Sequence, residues 1–225
     1  MQTTFDQIQA MPGWGFHLPN DGSKIGGVQP TTYGFEQGLP EDEQAMLIFV
    51  GGVAYATYEV YKSIPLPVST VNPSIVGAIL SFDLMPDARV PLGNEIVETD
   101  FLYTSSAGLT HNCSVQRNFV EKEMMQVSDQ TGHWLDSGFT APPLTADVWH
   151  THKFYYSFDL NKGRYGTQAM QIDGSLGIVP FQLQGLTPIA KGWAPGMMIQ
   201  LQTTLNSKQG ASSIKVRNMR LVISQ

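Results

Sequence analysis

Alternation leaves this chain the fewest choices. Residues 76–86, VGAILSFDLMP, put Ala78, Leu80, Phe82 and Leu84 on one side and Ile79, Ser81 and Asp83 on the other. The same period of two returns in AYATYEVYKSI (54–64), EIVETDFLYT (95–104), THNCSVQRNF (110–119), KEMMQVSD (122–129), WHTHKFYYSFDL (149–160), YGTQAMQIDG (165–174), MMIQLQTTL (197–205) and SIKVRNMRLVI (213–223). GHWLDSG (132–138) and GIVPFQL (177–183) are shorter candidates. Side chains switch faces at every residue only along a strand, so each run predicts a ribbon with an oily side and a wet side. Gly, Pro, Asn or Asp marks almost every break. Helical spacing is nearly absent. One window, PEDEQAMLIF from Pro40 to Phe49, opens with acids as a first helical turn prefers, while its tail MLIFV reads equally well as a buried strand.

About a dozen strands without intervening helices predict an all-β sandwich or barrel. No fixed-period repeat appears, which argues against a propeller. A chain of 225 residues fits one such domain, residues 1–225, because sandwiches of this size are common. Residues 1–40 read as a loop-rich edge: Met11 to Gln37 is rich in Gly, Pro and Thr, with Trp14, Phe16, Tyr33 and Phe35 to pack it.

Composition bears on partners. Charged residues make up only 14% of the chain, against a typical ~25%, and polarity comes instead from Gln, Ser, Thr, Asn and Gly. Amides and hydroxyls suit a neutral polar ligand. A net charge of −6 with scattered Lys and Arg excludes a nucleic-acid or anionic-membrane partner. No apolar run approaches the ~20 residues of a membrane span. The start, MQTTFDQIQAMPGW, carries no leader pattern. The expected location is nevertheless extracellular or periplasmic, with the leader outside this sequence. Cys113, the lone cysteine, excludes a disulfide framework and reads as a packed, inert thiol.

The second half has a recognisable order of events. GHWLDSG is followed by the Pro-rich APPLTADV, then Trp149-His150 opening a long strand, a hairpin, and a strand ending in Asp173-Gly174. A glutamine-bearing strand and SIKVRNMRLVI close the chain. This resembles the concanavalin A-like lectin/glucanase superfamily over roughly residues 76–225. The resemblance implies a jelly-roll of two stacked antiparallel sheets with a concave face that often carries a glycan groove. Sugar sites want planar amides for vicinal hydroxyls and aromatic rings for the sugar's C–H face. Gln116, Gln126, Gln168, Gln171, Gln200, Gln202 and Tyr155 supply that vocabulary, and the loop tryptophans Trp14 and Trp193 are stacking candidates or plugs over a sandwich end. Trp149 is expected in the core.

Several glucanases of the superfamily use a strand reading Glu-x-Asp-x-Glu. Here Glu98 and Asp100 share a face, but Leu102 stands where the third acid would be, and Glu95 points away unless a bulge intervenes. Acids at i and i+2 on a strand lie roughly 7 Å apart, closer to the spacing for inversion than for retention. Asp83 is a candidate third partner. His150 and His152 share a strand face, which metal sites use, but that face continues into Phe154, Tyr156 and Phe158, so they read as core histidines. No cofactor is expected. Many members carry calcium near the last strand, where an acid commonly precedes asparagine; the matching place here reads Val216-Arg217-Asn218, with a cation instead, so calcium is the weaker expectation.

Three readings stand. The first is an extracellular carbohydrate-binding jelly-roll for a polysaccharide or oligosaccharide. The second is a polysaccharide-cleaving enzyme, hydrolase or lyase, with Glu98 and Asp100 as acid/base or nucleophile; a lyase would assemble Tyr155, His111 and Arg117. The third is a structural or adhesive module.

Overall fold

The computed structural model describes residues 2–22, 25–65, 75–90, 94–120, 123–128, 133–159, 164–179, 189–190, 193–206 and 210–225, with Glu95, Ile189 and Ala190 described in backbone only. In chain order the strands are β1 Gln2–Phe5, β2 Gly15–His17, β3 Thr32–Leu39, β4 Asp42–Gly52, β5 Thr57–Pro65, β6 Gly77–Pro86, β7 Asn94–Thr104 and β8 Leu109–Asn118. They continue as β9 Met124–Ser128, β10 Trp134–Thr140, β11 His150–Asp159, β12 Arg164–Ile172, β13 Ser175–Ile178, β14 Ile189–Ala190, β15 Gly196–Leu205 and β16 Gly210–Ser224. The end of the expected strand 177–183 and most of the turn at 161–164 lie outside the described residues.

The strands form a jelly-roll sandwich of two antiparallel sheets. The first runs β13-β12-β11-β6-β16-β4-β3, with β1 beside β16. The second runs β10-β9-β8-β7-β15-β5-β2, with β14 beside β8. From β4 to β7, successive strands change sheet, and β15 and β16 do the same. In these stretches, strands that follow one another in sequence lie on opposite walls. This crossing decides which polar side chains can meet.

Alternation sorts each strand as expected. Ala78, Leu80, Phe82 and Leu84 of β6 and Phe154, Tyr156 and Phe158 of β11 are buried against Val60, Phe101, Val115, Ile199 and Leu201 of the second sheet. Phe101 stacks on Tyr156 at 5.1 Å and meets Phe158 edge-on at 5.9 Å, locking the two layers. Each such aromatic pair adds about 0.5–1.5 kcal/mol beyond its buried area. On β16 the inward parity changes from Ile214 and Val216 to Met219, Leu221 and Ile223, because a bulge intervenes between Arg217 and Arg220 with Asn218 at φ 52°.

One open reading is decided and one expectation is corrected. The window at 40–49 takes its strand reading: it enters β4, whose Met46, Ile48 and Val50 point inward while β3 and β16 pair on either side. Its period-two tail outweighs its acidic opening. Trp149 is not core. It is half-buried on the outward side of the first sheet, where the Arg217 guanidinium lies 4.1 Å from its ring centroid. His150 and His152 are buried, as their row implied.

Candidate functional site

The strands of the second sheet bring one residue each into a continuous cross-strand row on the outward face. Pairing runs His17, Glu59, Gln202, Glu98, Gln116, Gln126, Asp136, from β2 through β5, β15, β7, β8 and β9 to β10. The next row holds Tyr61, Gln200, Asp100 and Ser114. Glu98 and Asp100 stand on β7, the central strand. Period two aims both outward because Val97, Thr99 and Phe101 take the inward side.

The rows are stitched by amides. Gln202 Nε2 donates to Glu98 Oε2 at 2.9 Å, and Gln200 Nε2 donates to Glu59 Oε1 at 2.7 Å. Gln116 Nε2 donates to Gln126 Oε1 at 2.5 Å, and Gln126 Nε2 to Asp136 Oδ1 at 2.7 Å. Much of the face is closed to water: Glu59 is 3% exposed and Asp100 5%. Glu98 and Gln202, at mid-row, keep partial exposure. Among the described strand residues, no lysine or arginine stands on this face.

The electrostatics follow from that composition. Burial, then the Asp100 charge and its hydrogen bond, then Glu59, hold the Glu98 carboxyl well above the ordinary glutamate value. Glu98 thus keeps its proton where an exposed glutamate would lose it. Two acceptors are also buried without a protein donor among the described residues: Gln116 Oε1 and Asn112 Oδ1, both on β8. Leaving a buried polar atom unmet costs about 1–3 kcal/mol. Aromatic side chains stand at both edges. His17 stacks on Tyr61 at 4.6 Å, and Trp134 shares the face by register at β10. The Tyr61 ring lies over Gly15, where an added Cβ would come within 2.4 Å of it.

Of the residues singled out from sequence, Glu98, Asp100, Gln116, Gln126, Gln200 and Gln202 converge here. Asp83, Tyr155 and Gln168 do not. They lie on β6, β11 and β12 of the other sheet, so Asp83 is no third partner to Glu98. Asp83 instead accepts from Thr151 Oγ1 at 2.9 Å and Asn218 Nδ2 at 2.8 Å, beside Arg217. Trp14 is a plug, 8% exposed, its Nε1 donating to Ile8 O at 3.2 Å. Trp193 is half-buried ahead of β15, off the strands that build the rows. The trio Tyr155, His111 and Arg117 is not assembled. His111 and Arg117 sit between the sheets, where Arg117 pairs with Glu123 at 2.5 Å, whereas Tyr155 faces outward on the other wall. A bulge does stand at Glu95, where pairing steps from Thr204↔Ile96 to Leu205↔Asn94, but the Glu95 side chain lies outside the described residues. Cys113 is buried, and burial pushes its thiol up.

Sequence reasoning missed Glu59, Tyr61, Asn112 and Asp136. The available signal was Glu59 as the one acid in the tyrosine-rich alternation at 54–64. Among the described residues no cluster of three or more His, Cys, Asp or Glu has the arrangement to hold a metal ion.

No protein-family model matches the chain, nor does any curated protein. Solved structures do resemble it. A "Cellulose induced protein, Cip1" is 11% identical with a TM-score of 0.49, over 92% of this chain and 90% of that one. A native glycosidic hydrolase is 11% identical with a TM-score of 0.48, over 99% and 95%. The alginate lyase Aly36B is 11% identical with a TM-score of 0.47, over 82% of each. Likeness at this level concerns the strand scaffold and not the chemistry of the rows.

Proposed function

We propose that the outward face of the second sheet binds a saccharide chain and that Glu98 delivers a proton to it, making the protein a polysaccharide-cleaving hydrolase on a scaffold of the concanavalin A-like lectin/glucanase kind. The observation that carries this reading is the placing of the Glu98 carboxyl: central on the face, partly open, bonded by Gln202, and pushed above the ordinary glutamate value by burial with Asp100 and Glu59 beside it. Glycosidic cleavage needs a carboxylic acid that still holds its proton near neutrality, with an ionised carboxylate close by. The spare acceptors on Gln116 and Asn112 suit sugar hydroxyls, which must donate. Tyr61 and Trp134 suit the C–H face of a pyranose. Elimination from a uronate would want a cation against the substrate carboxylate, and no lysine or arginine stands on this face among the described strand residues.

Binding without cleavage is the second reading. It is favoured by the amides of Gln200 and Gln202, which already engage Glu59 and Glu98. Reducing-end release from a panel of polysaccharides, run beside a glycan array, separates the two. The expected result is release by the wild-type protein, with Glu98→Gln losing about a thousandfold in kcat while still binding. Binding with no release would favour the second reading. Unchanged release in Glu98→Gln would remove Glu98 from the chemistry.

A further inference from the structure

Gln202 stands between two acids. Its register partner on β5 is Glu59 and its register partner on β7 is Glu98, so a carboxyl lies on either hand. Its amide nitrogen turns to β7, where Nε2 donates to Glu98 Oε2 at 2.9 Å. Gln200 accounts for the choice. Its own register partners are Tyr61 and Asp100, yet its Nε2 reaches diagonally to Glu59 Oε1 at 2.7 Å. Long side chains span such a diagonal of ~7–8 Å. A buried acid needs a donor, and Gln200 is one for Glu59. Gln202 is thereby released to serve Glu98.

Of the two oxygens of a neutral carboxyl, the one without hydrogen is the better acceptor. The bond from Gln202 to Oε2 therefore leaves the proton of neutral Glu98 on Oε1. Glu98 and Gln202 both keep partial exposure, so this pair can meet a substrate where its more buried neighbours cannot. Resting on the hydrolase reading above, we infer that Gln202 is a positioning residue that fixes the Glu98 proton on Oε1, and that Gln200 keeps it at that task by holding Glu59. Glu98 passes the Oε1 proton to the glycosidic oxygen as the bond from that oxygen to the anomeric carbon breaks, the bonding pair leaving with the oxygen. One water adds to the carbon, and the proton it sheds restores Glu98 through solvent. Negative charge gathers on the Glu98 carboxyl as its proton leaves, and the bond from Gln202 becomes charge-assisted, roughly twice as strong as a neutral one. That gain arises only on the way to the transition state, so it speeds the step.

The same bond favours the ionised acid. The charged groups facing Glu98 are Asp100 on its own strand and Glu59 beyond β15, and both oppose ionisation. From β8 it is faced by Gln116 and Ser114, while His17 and Asp136 end the row. Difference infrared spectroscopy reads the outcome without substrate, the Glu98 band being the one absent in Glu98→Gln. Gln202→Met keeps the length and removes the donor, so Glu98 should ionise about one pH unit higher than in the wild-type protein. Gln202→Lys, at the same position, should move it lower. Gln200→Met should move it higher by less than Gln202→Met does, although its amide is bonded to Glu59. Polysaccharide release by Gln202→Met should fall about tenfold in kcat while the basic limb of its pH profile moves up. A slower enzyme that holds its proton better is not what general damage to the fold produces. An unmoved or lowered ionisation pH in Gln202→Met overturns the inference and leaves the hydrolase reading standing, and an unmoved one in Gln200→Met overturns the part given to Gln200. No cleavage of any polysaccharide by the wild-type protein overturns that reading, and the inference with it.

Discussion

Asp83 and Glu98 are both acids on the outward side of an interior strand, one on each wall of the sandwich. On the first sheet, Asp83 lies against Arg217, Asn218 and Thr151, and Arg217 also reaches Asp42 at 3.2 Å. Asp6 there meets Arg220, and Glu41 meets Lys215. On the second sheet, Glu98 has Asp100, Glu59 and Gln202 for company. The first arrangement neutralises its acids and leaves them quiet. The second gathers like charges in a closed polar face and obliges one to keep its proton. Strand position is the same in both, so reactivity comes from the neighbours each wall supplies.

The comparison breaks if the two walls respond alike to loss of an acid. Glu98→Gln should cost about a thousandfold in polysaccharide cleavage, while Asp83→Asn should stay within about twofold in the same assay. Between the walls lies a titratable group of a third kind. Burial first, then the nearby Arg117 charge, lowers His152 from 6.5 to about 4. Because its folded value is depressed, the unfolded chain binds the proton first. The stability His152 supplies is complete above about pH 6.5 and is lost as pH falls toward 4, a change of order 3 kcal/mol at 1.36 kcal/mol per unit. Calorimetry across that window should find the acid-side decline flattened in His152→Leu.

A cation moved to the second wall should make it behave like the first. Gln202→Lys places an ammonium beside Glu98, favours the ionised carboxyl, and should lower kcat/KM at neutral pH about tenfold by drawing the basic limb down. The smallest effect belongs to the first wall. Arg217→Ala loses partly exposed ion pairs and the contact over Trp149, costing about 1 kcal/mol or less in denaturant unfolding with cleavage unchanged.

The inward rows of β6, β11 and β15 were readable residue by residue, because burial enforces the pleat there. Which wall each strand joins was not readable. Asp83 and Glu98 are close in sequence and carry the same signature, yet the jelly-roll crossing sends β6 and β7 to opposite sheets. Pairing across long sequence separations is set by the whole fold, and alternation is silent about it. The same ignorance hid Glu59, which reaches Glu98 only through β15, far along the chain. Trp14 was ambiguous for a different reason: a loop residue's burial depends on what closes over it.

The most direct test of the account needs no substrate. Carboxyl protonation is followed against pH by difference infrared spectroscopy in the wild-type protein, Glu98→Gln and Asp83→Asn. The account predicts a carboxyl that stays protonated above the pH at which an exposed glutamate ionises, in the wild-type protein and in Asp83→Asn, and that vanishes in Glu98→Gln. Ionisation of Glu98 at the ordinary value near 4.5 would contradict it.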